Sequence, residues 1–307
     1  AEGTDAVSII LERCREVGLE AVTSMRVNDL HFSDRAVLCP QVQPEFWLDH
    51  PEYDVGPGAI PGWHSAGAFN FEHAAVREYK QALLQEMMAR FRPDAHEMDL
   101  MRFPVYFPAA TARACCPIMT DFIRKCRDIV RNTEPAAGRT RQFGVRLPAS
   151  VERCKAIGFD PQTWVEEGLV DFITISAFFY DVPALPVEQF RRDIGSPDIP
   201  IYANLDHGVA EPRGGWGHFR AAAANRWRER PDGLYFFNFF YNSSDGVNAF
   251  APTLSQDRKP LTQHGVSRAL LCELANPACL RNRNKIYNAG TSNSGYGADV
   301  TFDLPIG

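Results

Sequence analysis

The chain has 307 residues, of which 45% are hydrophobic and 23% charged, and carries a formal net charge of −6. That length suits one α/β barrel of about 250 residues better than two small domains. No basic block could neutralise a phosphate backbone, which argues against a nucleic-acid partner. No apolar run approaches the ~20 residues that cross a bilayer, which argues against a membrane one.

Helical signals start at once. Thr4 or Asp5 can cap a helix whose apolar stripe is Val7, Ile10, Leu11, Cys14 and Val17, closed by Gly18. A strand-like run from Ala21 to Asn28 follows, then a loop rich in Pro, His and aromatics from Asp29 to about Gly67. A short strand is expected over Ala68 to Phe71, then a helix carrying Val76, Leu83, Leu84, Met87 and Met88. The next strand spans about Ala95 to Met101 and its helix Ile118 to Val130. Gln142 to Leu147 reads as a strand, followed by helical pieces at Val151 to Ile157 and Pro161 to Glu167. Val170 to Phe179, Ile199 to Asp206 and Gly233 to Phe240 complete the strands. Their helices lie near Val187 to Ile194, Trp216 to Arg230 and Val266 to Leu274.

This alternation predicts an α/β fold with parallel strands. Seven βα units are counted, and the first helix has no strand before it. A (β/α)8 TIM barrel closes with eight strands, so the expectation is a barrel over residues 1–280 with a first strand lying before Ala1. Residues 281–307 turn to Asn, Gly and Ser with short strand-like runs, the start of a β-rich appendage. Eight cysteines are scattered and form no zinc spacing. Buried free thiols are the default, with Cys272 and Cys279 able to pair in an oxidising compartment.

Barrel strands alternate between the interior and the helix layer. Met98 and Leu100 suit the helix layer, so Glu97 and Asp99 face inward near a strand end. The same parity turns inward Ser24, Arg26 and Asn28, then Gln142 and Arg146, Thr174 and Ser176, Tyr202, Asn204 and Asp206, and Asn238. Unpartnered charges inside a barrel cost several kcal/mol each, by order of magnitude. Converging acids and arginines therefore mark either a site or an internal salt-bridge network, for example Glu97 with Arg26 or Arg146.

The stretch HEMDLMRFPVYF (His96 to Phe107) resembles the ELD-x-x-R-[FY]-P strand of glycoside-hydrolase-like barrels, the family 10-like glycosyl hydrolases. SMRVNDLHF (Ser24 to Phe32) is similar to their early strand and polar loop, and FNFEHAAVREY (Phe69 to Tyr79) to the lead-in of a helix, with Asn70 at a polar position. RLPASVERCKAIGFDPQTWVEEGLVDFI (Arg146 to Ile173) resembles their arginine strand and the passage after it, and DGLYFFNFF (Asp232 to Phe240) their closing strand with Asn238. Ala74-Ala75 depart from the usual Asn-Pro-like pair. The resemblance implies a carbohydrate-processing site and points to Asp99 as a catalytic carboxylate.

Glycoside cleavage needs two carboxyl groups flanking the scissile bond. Asp99 is the first choice and Asp206 its counterpart, on what the strand count makes the fourth and seventh strands, by analogy with sugar-cleaving barrels. Glu97 competes for the acid role. Arg26, Asn28, His31, Asn70, Arg102, Arg146, Asn204, His207 and Asn238 are candidate substrate contacts, and Trp63, Tyr180 and Trp216 are candidate cleft aromatics.

No glycine-rich phosphate loop occurs and no paired-histidine motif is visible, so neither cofactor nor metal is expected. A polysaccharide substrate would favour a secreted or periplasmic location. A polysaccharide lyase using Tyr180 or His207 beside Arg102 and Arg146 is an alternative, as is a noncatalytic carbohydrate-binding barrel.

Overall fold

A computed structural model of the chain describes residues 5–37, 39–56, 67–133, 140–177, 185–206, 215–237 and 270–285. The chain divides into two compact units, residues 1–174 with 190–200, and residues 175–189 with 201–307.

In the first unit α1 (Ala6–Glu16) is capped by Asp5, whose carboxylate accepts the Ser8 N–H at 2.9 Å. Gly18, at φ 73°, lets the chain turn after it. The strands β1 (Val22–Arg26), β2 (Ala95–Asp99), β3 (Gln142–Pro148) and the start of β4 (Phe172–Ser176) lie side by side in chain order. The β1–β2 and β2–β3 pairs are parallel. A short helix, α2 (Glu45–Asp49), interrupts the long loop; α3 (Ala74–Phe91), α4 (Cys116–Asn132), α5 (Val151–Ala156) and α6 (Pro161–Glu166) follow. Beneath the helices, Phe71 meets Tyr106 and Phe122 edge-on, and Tyr106 meets Phe159.

After β4 comes α7 (Val187–Ile194). In the second unit β5 (Ile201–Asp206) and β6 (Gly233–Phe237) are also parallel, joined through α8 (Gly215–Arg228). Leu205, Phe219, Ala222, Ala223, Leu270, Leu274 and Leu280 form this unit's core.

The expected strand at Ala68 to Phe71 does not form. Among the described residues it makes one isolated bridge, between Asp54 and Phe69. The Phe69 amide goes to the Asn28 side chain, and Asn70 turns the chain by accepting the Glu72 N–H. Six strands are therefore present among the described residues, and β1 pairs directly with β2. Without that strand, Asp99 and Asp206 end the second and fifth of the six described strands, not positions that count to four and seven. The stripe of α1 also differs from expectation: Leu11 is buried, whereas Val7, Ile10 and Val17 are exposed.

One device recurs at the amino ends of the strands. Asp94, just before β2, accepts the Ala21 N–H at 2.8 Å and returns its own N–H to the Ala21 carbonyl at 2.9 Å. Asp171, just before β4, does the same with Phe143, at 2.8 and 2.7 Å. Asp232, just before β6, repeats it with Ile201, at 2.8 and 2.9 Å. Each reciprocal clamp fixes the register of one strand pair, and a hydrogen bond to a charged acceptor contributes roughly 1.5–3 kcal/mol.

With that register Ser24, Glu97 and Gly144 lie in one row, and Arg26, Asp99 and Arg146 in the next. Gly144 has no side chain because a Cβ there would stand 2.2 Å from the Phe172 ring. The opposite face carries Met25, Met98, Val145 and Leu147, all buried. His96 also lies on that face, wholly buried, with Nδ1 2.8 Å from the Thr23 hydroxyl.

Burial, helped by the Arg141 charge, lowers the His96 pKa to about 3. The unfolded chain takes up this proton near pH 6.5. Between pH 6.5 and 3 the unfolded state thus holds more protons, and stability falls as pH is lowered through that window. Denaturant titrations of His96→Gln should show a slope of stability against pH reduced by up to about 1.4 kcal/mol per pH unit there. An unchanged slope would mean that the folded protein admits the charged imidazole.

Candidate functional site

The carboxyl ends of parallel strands are where α/β folds place their sites. In the first unit that edge carries the row Arg26, Asp99, Arg146. Arg146 Nη1 donates to both carboxylate oxygens of Asp99, at 2.9 and 3.0 Å, and the Met101 N–H donates to Oδ1 at 3.0 Å. The side chains are 0% and 2% exposed. Asp99 is thus an acceptor on every contact described, a geometry that suits a nucleophile or charge stabiliser better than a proton donor.

Glu97 lies two residues earlier on the same face, roughly 6–7 Å deeper by strand rise. It accepts from the Ser24 hydroxyl at 3.0 Å and the Thr174 hydroxyl at 2.9 Å, and is 1% exposed.

A loop network stands over this row. Arg26 Nη1 lies 3.3 Å from Asp29, and Asp29 Oδ1 receives both the His31 N–H, at 3.1 Å, and its Nδ1, at 2.5 Å. Arg102 Nη2 meets His31 Nε2 at 2.9 Å. A guanidinium can only donate, so Nε2 is the acceptor in this contact and Nδ1 faces the Asp29 carboxylate as the donor. Burial acts to raise the Asp29 pKa, but the His31 contacts and the Arg102 charge outweigh it and leave the carboxyl below its ordinary value. Burial, then the charge of Arg26, lowers the Arg102 pKa. The Arg102 guanidinium also lies 4.9 Å from the Phe103 ring centre, and His31 meets Phe103 edge-on at 5.5 Å.

The structure therefore brings together Arg26, Glu97, Asp99, Arg146, His31 and Arg102, with Asp29 as a central carboxylate. Two expected contacts have other work. Asn28 gives both amide hydrogens to backbone carbonyls, Phe69 at 3.0 Å and Val105 at 2.6 Å, and accepts the Phe69 N–H at 3.2 Å. It stitches the exit of β1 to two loops and has no donor left for a sugar hydroxyl. Asn70 is buried and its amide bonds Glu72 at 3.0 Å.

In the second unit Asp206 closes β5 opposite Phe237, and Asn204 is buried opposite Tyr235. Trp216 belongs to α8. Trp63, Tyr180, His207 and Asn238 lie outside the described residues.

Lys80 escaped the sequence reading. Its Nζ stands 4.9 Å from the Phe69 ring centre and 5.5 Å from that of Tyr79. The signal was available: Val76, Leu84 and Met88 are fully buried, and position 80 continues their four-residue spacing. A lysine stands where α3 otherwise buries apolar side chains.

No protein-family model matches the chain, and no curated protein matches its sequence. Among solved structures, it is similar to an α-amylase from Geobacillus thermoleovorans complexed with acarbose, at 9% identity and TM-score 0.48, over 89% of this chain and 60% of that one. An endo-β-1,4-mannanase from Thermotoga petrophila gives 10% identity and TM-score 0.47, over 90% and 64%. A maltogenic α-amylase from Thermotoga neapolitana gives 12% and 0.43, over 86% and 57%. The chain spans less than two thirds of the length of each. Likeness this slight transfers no residue role.

Removing one member of a buried ion pair costs about 3–5 kcal/mol, because the other charge is left without its counterion. Arg146→Met should lower unfolding stability by that amount in denaturant titration. A loss below about 1 kcal/mol would show that Asp99 does not depend on this partner.

Proposed function

We propose that this protein hydrolyses glycosidic bonds of a poly- or oligosaccharide within a (β/α)8 barrel formed by residues 1–280, with 281–307 a β-rich extension. The observation that carries this reading is the buried pair Asp99–Arg146 at the carboxyl ends of the strands, under a rim of Arg26, Asp29, His31 and Arg102. A packed barrel interior prefers branched apolar side chains, and maintaining charges there costs stability. The sequence resemblance at His96 to Phe107 points to the same aspartate.

Asp99, restrained by Arg146 and the Met101 amide, is the carboxylate that attacks the anomeric carbon or stabilises its developing positive charge. Asp206 is its proposed partner, protonating the leaving oxygen. Glu97, clasped by two hydroxyls beneath Asp99, supports the floor of the site and is the weaker candidate for proton transfer.

One observation favours a second reading. Asp99 is 2% exposed and each of its oxygens already accepts from a protein donor, as in a purely structural ion pair. The barrel would then bind carbohydrate without cleaving it.

A polysaccharide digestion screen separates the two readings. The native protein should release reducing ends from at least one glycan, and Asp206→Asn, which leaves the Asp99–Arg146 pair intact, should lose about 10²–10⁴-fold in rate. Glycan binding without release of reducing ends in any arm would establish the second reading instead.

A further inference from the structure

We propose that the site is built for an acidic carbohydrate, with an anionic substituent of the sugar ring held by the Lys80 ammonium. This rests on the carbohydrate reading above and names its substrate class. A carboxylate of a uronate and a sulfate ester offer the same chemistry, a compact anion able to accept from an ammonium.

Lys80 is placed by packing. It sits on the face of α3 that buries Val76, Leu84 and Met88, so its stem runs along apolar surface. Its ammonium lies over Phe69 and beside Tyr79, and Tyr79 is itself stacked on Phe46 with ring centres 4.3 Å apart. Among the described residues Lys80 makes neither an ion pair nor a hydrogen bond. Aromatic faces attract a cation by roughly 0.5–2 kcal/mol, yet they leave all three ammonium hydrogens without an acceptor. A structural role alone would be served better by an apolar side chain.

The surroundings select for an anion. Phe69 is fixed by the Asn28 stitch, which ties it to the exit of β1 and thus to the Asp29 loop. Asp29 is near enough for its charge to favour the protonated lysine, although burial brings the Lys80 pKa down to about 8. Arg26 and Arg102 gather around the same carboxylate. Lys80, Arg26 and Arg102 thus gather around Asp29 beside the Asp99–Arg146 pair, in a protein whose net charge is −6. A ligand anion entering beside Phe69 would satisfy the ammonium in a low-dielectric niche, where charge-assisted hydrogen bonds are strongest. Neutral glycans offer no such group.

Calorimetric titration with polygalacturonate fragments, sulfated galactan fragments and neutral β-glucan and mannan fragments tests the assignment on the full chain. One or both acidic glycans should bind at least tenfold more tightly than the neutral ones, the stronger of the two identifying the anion. Lys80→Met should reduce that affinity about tenfold, and Lys80→Arg should restore most of it. Lys80→Met also keeps the apolar packing of α3, so an unchanged melting temperature certifies the comparison; if it does not fold, Lys80→Gln takes its place. Equal binding of acidic and neutral glycans, or acidic binding indifferent to Lys80 substitution, overturns the inference while leaving glycoside hydrolysis standing. Binding and cleavage of neutral glycans alone has the same meaning. Failure of every glycan to bind removes the carbohydrate reading and this inference together.

Discussion

The pairing of Asp99 with Arg146 is the interaction on which the rest of the site depends. Two charges with almost no exposure are tolerable only when each has the other, because desolvation of a lone ion costs several kcal/mol. The pairing in turn requires β2 and β3 to lie in a register that places residue 99 against residue 146. A slip of one residue in either strand would turn that strand's charged side chain to the helix layer, away from its partner. The aspartate clamps at the amino ends of the strands fix the flanking pairs, Asp94 tying β1 to β2 and Asp171 tying β3 to β4, while the Asp94 carbonyl accepts the Gln142 N–H across the start of the β2–β3 pair. Register is set at one end of the strands and charge is presented at the other.

Much of this was legible in the sequence. Period-two alternation placed Glu97, Asp99 and Arg146 on one face, because each is flanked by residues that could only belong to the helix layer. The start of the first helix was marked by Asp5, one of two candidate caps, whose side chain accepts the Ser8 N–H. The arithmetic of units failed at Ala68 to Phe71. That run has strand composition, but tertiary partners took its backbone groups, Asn28 one amide and Tyr106 a carbonyl contact with the Phe71 N–H. A side-chain amide far away in sequence cannot be seen as a competitor for a strand's hydrogen bonds.

The same blindness explains the roles of individual polar residues. Asn28 and His31 both read as hydroxyl-binding groups at a strand end. Contacts 41 and 77 residues away made the first a structural stitch. A contact 71 residues away made the second a link between Asp29 and Arg102. Lys80 was overlooked for the opposite reason: a single lysine in a helix is ordinarily a solvated residue, and only the burial of Val76, Leu84 and Met88 at the same spacing gives it meaning. The site thus combines a rigid floor of buried charge with a rim whose positive groups are gathered by one carboxylate.

The claim that a bound sugar engages this floor can be measured directly from the Met101 amide, which donates to the Asp99 carboxylate. In a deuterated sample, amide resonances followed during titration with a bound oligosaccharide should show Met101, and Val27, which donates to the Asp99 carbonyl, among the most strongly shifted. Saturable binding that shifts other amides while leaving Met101 and Val27 in place would contradict the account, since the sugar would then lie elsewhere.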